Sequence, residues 1–146
     1  MAPSLPLDDS DIERQIARAL TESRFPGLVS AYLFGSVAEG RAHRDSDVDL
    51  GVYLDFESLP TSEARFDARL DLMAVLGPAI GRDDIDLVVM NDAPPTLSRH
   101  ILRGKRVFCA DVEADHAFVR TVLIRAADLD PFLRKMRRVA LDTLAR

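Results

Sequence analysis

Two aspartates, Asp47 and Asp49, open an apolar run, "DVDLGVYL" over residues 47–54, and a third, Asp86, sits inside a similar run, "DIDLVVM" over 84–90. Alternate residues of a strand project from one face. A strand here therefore carries Asp47 and Asp49 together, about 7 Å apart at the backbone, with Val48, Leu50, Val52 and Leu54 on the opposite face. Neighbouring strands lie about 4.8 Å apart, so pairing of the two runs brings Asp86, between Ile85 and Leu87, within side-chain reach of the pair. Carboxylates converging in this way repel one another unless a cation lies among them. An all-oxygen donor set suits the hard ions Mg2+ or Mn2+, which proteins bind together with substrate phosphates. Two such ions about 3.5 to 4 Å apart stabilise both the attacking and the leaving oxygen of a phosphoryl displacement. Upstream, Gly35-Ser36 ends the run "LVSAYLF" at 28–34. A glycine lets backbone amides come close to an anion and a serine hydroxyl adds a donor, which makes this pair a candidate phosphate cradle.

Alternating elements are needed to position these residues. Ile12, Ile16 and Leu20 recur at helical spacing and predict a first helix ending near Pro26-Gly27. Residues 28–34 read as a buried strand, a short helical turn follows around Val37 to Arg41, and 47–55 and 84–90 form the second and third strands. Tyr32 and Tyr53 are expected as strand core residues. Between the second and third strands, Thr61 or Ser62 caps a helix whose inward stripe is Phe66, Leu70, Met73 and Leu76 and which ends at Gly77-Pro78. A helix from Pro94 to about Arg103, a short strand "RVFC" and helical sequence from about Glu113 complete the chain. Pro131 is expected to interrupt this last stretch, with Asp128 or Asp130 capping a new helix that starts at the proline. In that segment Leu129, Phe132 or Leu133, Met136, Val139 or Ala140, and Leu144 form one apolar stripe flanked by Arg134, Lys135, Arg137 and Arg138.

With 146 residues and 47% hydrophobic content the chain is sized for one substantial core, so a bulky second substrate has to be held from outside. The formal net charge of -5 argues against the broad positive surface that grips a nucleic-acid backbone. Positive charge is local: residues 131–146 carry +4, leaving -9 on residues 1–130. A single cysteine, Cys109, excludes an internal disulfide, and the amino terminus lacks the basic start and apolar run of a signal peptide. No apolar segment approaches the roughly 20 residues that span a bilayer. A cytoplasmic protein without membrane or direct nucleic-acid contact is expected.

Gly35-Ser36, ten residues, then Asp47-Val48-Asp49 resembles the GS-x10-D-x-D signature of the polymerase-beta-like nucleotidyltransferases, with Asp86 in "DIDLVV" where their third carboxylate is found. The resemblance covers roughly residues 10 to 110, and in length the chain looks most like the minimal nucleotidyltransferases, the MNT antitoxins of the MntA type that accompany a HEPN-domain ribonuclease toxin. The resemblance implies an α/β (α+β) fold, a small mixed sheet flanked by helices with a helical C-terminal segment. It implies one nucleotidyltransferase domain over residues 1–146, with 112–146 a helical extension. ATP is the implied substrate and Mg2+ the implied cofactor, as a pair of ions. The implied reaction moves AMP onto a tyrosine hydroxyl of the toxin, which neutralises it, and the implied assembly is a hetero-oligomer with that toxin. Carried over by position, Gly35 and Ser36 hold the triphosphate, Asp47 and Asp49 bind metal, and Asp86 serves as metal ligand or base. The family often has a basic residue before the glycine equivalent to Gly40, where this chain has Glu39, so nucleotide grip is assigned to Arg41 or Arg44.

Two other functions share the motif. An antibiotic-type, small-molecule nucleotidyltransferase usually carries a sizeable helical second domain for its acceptor, and only about 35 residues follow Cys109 here. A binding-only antitoxin has no need of Asp47, Asp49 and Asp86 together.

Overall fold

The runs rich in Leu, Val and Tyr fold as strands because their side chains fill a pleated, half-buried surface. In the computed structural model, which describes residues 9–38 and 47–145, β1 (Leu28–Phe34), β2 (Val48–Leu54), β3 (Ile85–Val89) and β4 (Lys105–Cys109) form one sheet in the order β3-β2-β1-β4. β1 pairs antiparallel with both β2 and β4, and β2 pairs parallel with β3, so the sheet is mixed. The strands fall within a residue or two of their expected bounds.

Alternation gives the sheet two covered faces. On one, Leu33, Val48, Leu50, Val52, Leu54 and Leu87 pack against α1 (Asp9–Ser23) and α3 (Ser62–Ile80), with Ile12, Ile16 and Leu20 of α1 all buried as their spacing predicts. On the other, Tyr32, Tyr53 and Val88 meet Ile101 of α4 (Pro95–Leu102) and Phe118 and Val122 of α5 (Val112–Leu144). Asp49 is on this second face. α2 (Gly35–Ala38) is a single turn that follows β1.

Two helices depart from expectation. The buried stripe of α3 is Arg65, Ala68, Leu72 and Leu76, while Phe66 and Leu70 are 54% and 47% exposed. Arg65 can face inward because its guanidinium is fully engaged. Nε and Nη2 donate to the Asp92 carboxylate at 3.0 and 2.8 Å, and Nη1 donates to the Leu59 carbonyl at 2.8 Å. The helix is capped by Thr61, whose Oγ1 accepts from the Ala64 N–H at 3.1 Å. It runs through Gly77-Pro78 and stops at Gly81, where a left-handed φ of 68° turns that residue's N–H back to the Gly77 carbonyl.

α5 is one continuous helix with Pro131 inside it. Asp130 caps nothing: its carboxylate takes both terminal nitrogens of Arg99, at 2.8 and 3.1 Å, which ties α5 to α4. The cap at its start is Asp111, accepting from the Ala114 N–H at 3.1 Å. Only Asp115, Phe118, Val122 and Ala126 of α5 are buried, and residues 131–145 are exposed.

Asp115 anchors that helix to the sheet. Its carboxylate accepts from the Tyr32 hydroxyl on both oxygens, at 2.8 and 2.9 Å, and from Arg106 Nη1 at 3.1 Å. Burial, and then the bond to Asp115, push the Tyr32 phenol well above its ordinary pKa. A buried carboxylate deprived of one donor costs stability. Tyr32→Phe is therefore expected to destabilise the fold by about 1–3 kcal/mol, read as a lower urea midpoint; an unchanged midpoint would mean the hydroxyl bond is energetically idle.

Candidate active site

Parallel pairing of β2 with β3 sets Asp49 directly opposite Asp86, and Asp47, the residue just before β2, is close enough for its charge to act on Asp49. Asp47 and Asp86 are exposed and Asp49 is half-buried. The Asp49 carboxyl is held above the usual carboxylate range, first by burial, then by the negative charges of Asp86 and Asp47. This electrostatic coupling is the expected signature of carboxylates gathered where a cation would relieve them.

β1 delivers the glycine. Phe34 is the register partner of Asp49 on β1, so Gly35 emerges beside that carboxylate. Gly35 has a φ of 77°, and a Cβ added there would lie 3.1 Å from Asp49 Cγ and overlap its Oδ2. Both facts demand glycine, and the closeness of backbone to carboxylate places the start of α2 against the acidic cluster. Of the residues expected to grip a nucleotide, Gly35 and the backbone of Ser36 are brought to the carboxylates, whereas Arg41 and Arg44 lie outside the described residues.

Among the described residues, no three His, Cys, Asp or Glu side chains enclose an ion as they stand. Asp49, Asp86 and Asp47 nevertheless gather at the starts of β2 and β3 and share one electrostatic field, and their all-oxygen chemistry fits a divalent hard cation.

Arg82 was not among the residues the sequence pointed to. Its Nε and Nη2 donate to the Asp84 carboxylate at 2.8 and 2.7 Å, and the Asp84 carbonyl accepts from the Val48 N–H at 3.1 Å, so the pair pins the start of β3 to the start of β2. The bond to Asp84 raises the Arg82 pKa, and the charge of Asp47 adds to the shift, so the guanidinium is within electrostatic reach of the acidic cluster. The motif "GRDD" contains this pair, but only the strand register reveals what it holds.

Asp86 also lines a cavity of about 690 Å³ along the outer edge of β3, between α3 and α4, with Phe66, Arg69, Leu87, Pro94 and Leu97 among its walls. Among the described residues no helix is long and apolar enough to cross a membrane.

The sequence model of the family described as "Polymerase beta, Nucleotidyltransferase" matches residues 15–113. The protein adenylyltransferase MntA of Shewanella oneidensis is 31% identical over 111 residues, which are 75% of this chain and 74% of that protein. Among solved structures, a chain of a toxin-antitoxin crystallised with AMP-PNP is 25% identical with a TM-score of 0.64, over 92% of this chain and 98% of that one. A chain of the complex between a tri-AMPylated Shewanella oneidensis HEPN toxin and its MNT antitoxin is 21% identical with a TM-score of 0.59, over 95% and 100% of the two chains, a likeness of fold.

Proposed function

Since the chain belongs to the polymerase beta nucleotidyltransferase family, we propose that it transfers AMP from ATP to a tyrosine hydroxyl of a HEPN-type ribonuclease toxin, and so acts as that toxin's antitoxin. The observation that carries the reading is the register of Asp49 with Asp86, with the charge of Asp47 acting on Asp49 and Gly35 against it. Support for the protein acceptor comes from the relative named a protein adenylyltransferase, and for the toxin from the similar toxin-antitoxin structure with AMP-PNP.

In this reading Asp47, Asp49 and Asp86 hold Mg2+, and the backbone from Gly35 to Ser36 with the Ser36 hydroxyl receives the triphosphate. Arg41 and Arg44 grip it further. When bound, the divalent ions offset the negative charge that builds on the transferring phosphoryl group and on its leaving oxygen. The acceptor oxygen forms a bond to the α-phosphorus as the bond from that phosphorus to the α–β bridging oxygen breaks. Pyrophosphate leaves, and the acceptor proton passes to the Asp86 carboxylate and on to solvent. Arg82 keeps Asp84, and with it the start of β3, in line with β2, which sets the separation of Asp86 from Asp49. The position of the label decides the reaction type. ATP labelled at the α-phosphate should mark the partner in the presence of Mg2+ and not in EDTA, while ATP labelled at the γ-phosphate should leave it unmarked. Marking by the γ-label would make the protein a kinase, and marking by neither would leave a binding-only antitoxin.

The distal half of α5 is where the partner docks in this reading. Phe132, Met136 and Val139 are 58%, 52% and 53% exposed, so the apolar stripe does not close the core. The flanking Arg134, Lys135, Arg137 and Arg138 steer an acidic partner surface, which raises association rate and fades with salt. Changing Arg134, Arg137 and Arg138 together to Glu should slow association about tenfold or more at low salt with an unaltered melting temperature. An unchanged rate with unchanged salt dependence would move the docking face elsewhere.

A further inference from the structure

We infer that the groove along the outer edge of β3 is the acceptor subsite, a side-chain pocket for an aromatic hydroxyl presented by an apolar segment of the protein partner. The inference rests on the adenylyltransferase reading above and adds where, and by which residues, the acceptor is recognised.

Asp86 belongs to both places. It faces Asp49 across the β2–β3 register and lines the groove at the same time. Gly35 and α2 crowd Asp49 from the β1 side, and the groove opens on the β3 side. A phosphoryl transfer needs its attacking and leaving oxygens roughly in line, on opposite sides of the phosphorus. A nucleotide entering from the β1 side and an acceptor entering from the β3 side meet that requirement with no rearrangement of the sheet.

The walls specify what enters. Phe66 and Leu97 stand 54% and 37% exposed, on α3 and α4 respectively, with Pro94 and Leu87 between them. Their placement explains why the apolar stripe expected at Phe66 does not turn inward. The cavity volume of about 690 Å³ is within the range that buries a small ligand or a large side chain with its flanks. β3 ends the sheet, so an added strand is the first alternative. The Leu87 carbonyl, however, already accepts from Arg69 Nε at 2.6 Å, which blocks continuous strand addition and leaves the walls as the recognition surface. Glu63 and Asp86 also line the groove, a charge that repels a nucleic-acid backbone. An aromatic ring with a terminal hydroxyl satisfies both demands, its body against Phe66 and Leu97 and its oxygen toward Asp86.

The test pairs a transfer assay with a binding assay that needs no transfer. Phe66→Ser/Leu97→Ser changes two exposed side chains, and thermal melting confirms that the variant is folded. Affinity for a non-hydrolysable ATP analogue with Mg2+ should be preserved, while kcat/KM for AMP transfer to the HEPN partner should fall at least about tenfold. In parallel, N-acetyl-tyrosinamide titrated into the wild type should shift the amide resonances of Val88 and Ala93, which line the groove and are unchanged in the variant, and should shift them less in the variant. N-acetyl-phenylalaninamide should shift them more weakly, and a cationic aminoglycoside should not compete. Unchanged transfer by the double variant would overturn the subsite, as would competition by the aminoglycoside in place of the tyrosine probe. Absence of transfer by the wild type would instead overturn the adenylyltransferase reading, and the tyrosine titration would then decide the groove by itself.

Discussion

Asp49→Asn leaves a folded protein and lowers AMP transfer by at least about 10²–10³-fold, the scale of losing one group that stabilises transition-state charge. The replacement is close to isosteric, so packing beside Gly35 survives. The effect on stability has a definite sign. Burial, Asp86 and Asp47 raise the Asp49 pKa in the folded protein above its unfolded value. For an acid, that shift removes stability as pH rises through the unfolded pKa toward the folded one, and the loss persists at neutral pH. Asn carries no such charge, so without metal the variant should melt at the same temperature as wild type or slightly higher. Asp47→Asn should reduce transfer as well, with less effect on melting because Asp47 is exposed. Transfer of α-labelled AMP and thermal melting on the same samples check both claims. Wild-type rates in both variants would remove the carboxylates from the chemistry.

Gly35→Val should abolish nucleotide binding for two reasons that act together. The backbone at Gly35 has a φ of 77°, which a β-branched residue rarely adopts, and any Cβ runs into the Asp49 carboxylate. To relieve the overlap the chain must move the start of α2, rotate Asp49, or both, and either motion separates the proposed phosphate cradle from the carboxylates. Ser36→Ala, by contrast, removes one hydrogen bond to a charged group, about 1.5–3 kcal/mol. Calorimetric titration of a non-hydrolysable ATP analogue with Mg2+ should rank the affinities wild type, Ser36→Ala, Gly35→Val. Equal affinity for wild type and Gly35→Val would put the nucleotide elsewhere.

The strands that carry the carboxylates were legible in the sequence because apolar and polar residues alternate where they begin, whereas β1 read as a strand only as a short apolar run bounded by glycines. Asp47, Asp49 and Asp86 interrupt apolar runs at positions where only one face remains for them. The helices were less legible for reasons that individual residues make plain. Arg65 reads as a surface residue, yet Asp92 and the Leu59 carbonyl engage its guanidinium and let it bury, so the face of α3 was misassigned. Asp92 lies 27 residues further on, beyond β3, so no local pattern announces the pair. Pro131 reads as a helix break, but the helix runs through it, anchored ahead of the proline by Arg99 at Asp130 and by the buried face from Asp115 to Ala126. Asp115 itself carried no sequence signal, since its partners Tyr32 and Arg106 are on strands whose pairing is long-range. The groove at β3 was hidden for the same reason: Phe66 and Leu97 become its walls only once α3 and α4 flank one sheet edge.

Binding of Mn2+, followed by the loss of the free-ion electron paramagnetic resonance signal in the presence of a non-hydrolysable ATP analogue, tests the acidic cluster most directly. The wild type should take up about two ions per chain, and Asp49→Asn and Asp86→Asn should each lose at least one while remaining folded. Equal uptake by wild type and both variants, with AMP transfer intact in the same preparations, would contradict the assignment of Asp47, Asp49 and Asp86 as the metal-holding centre of the reaction.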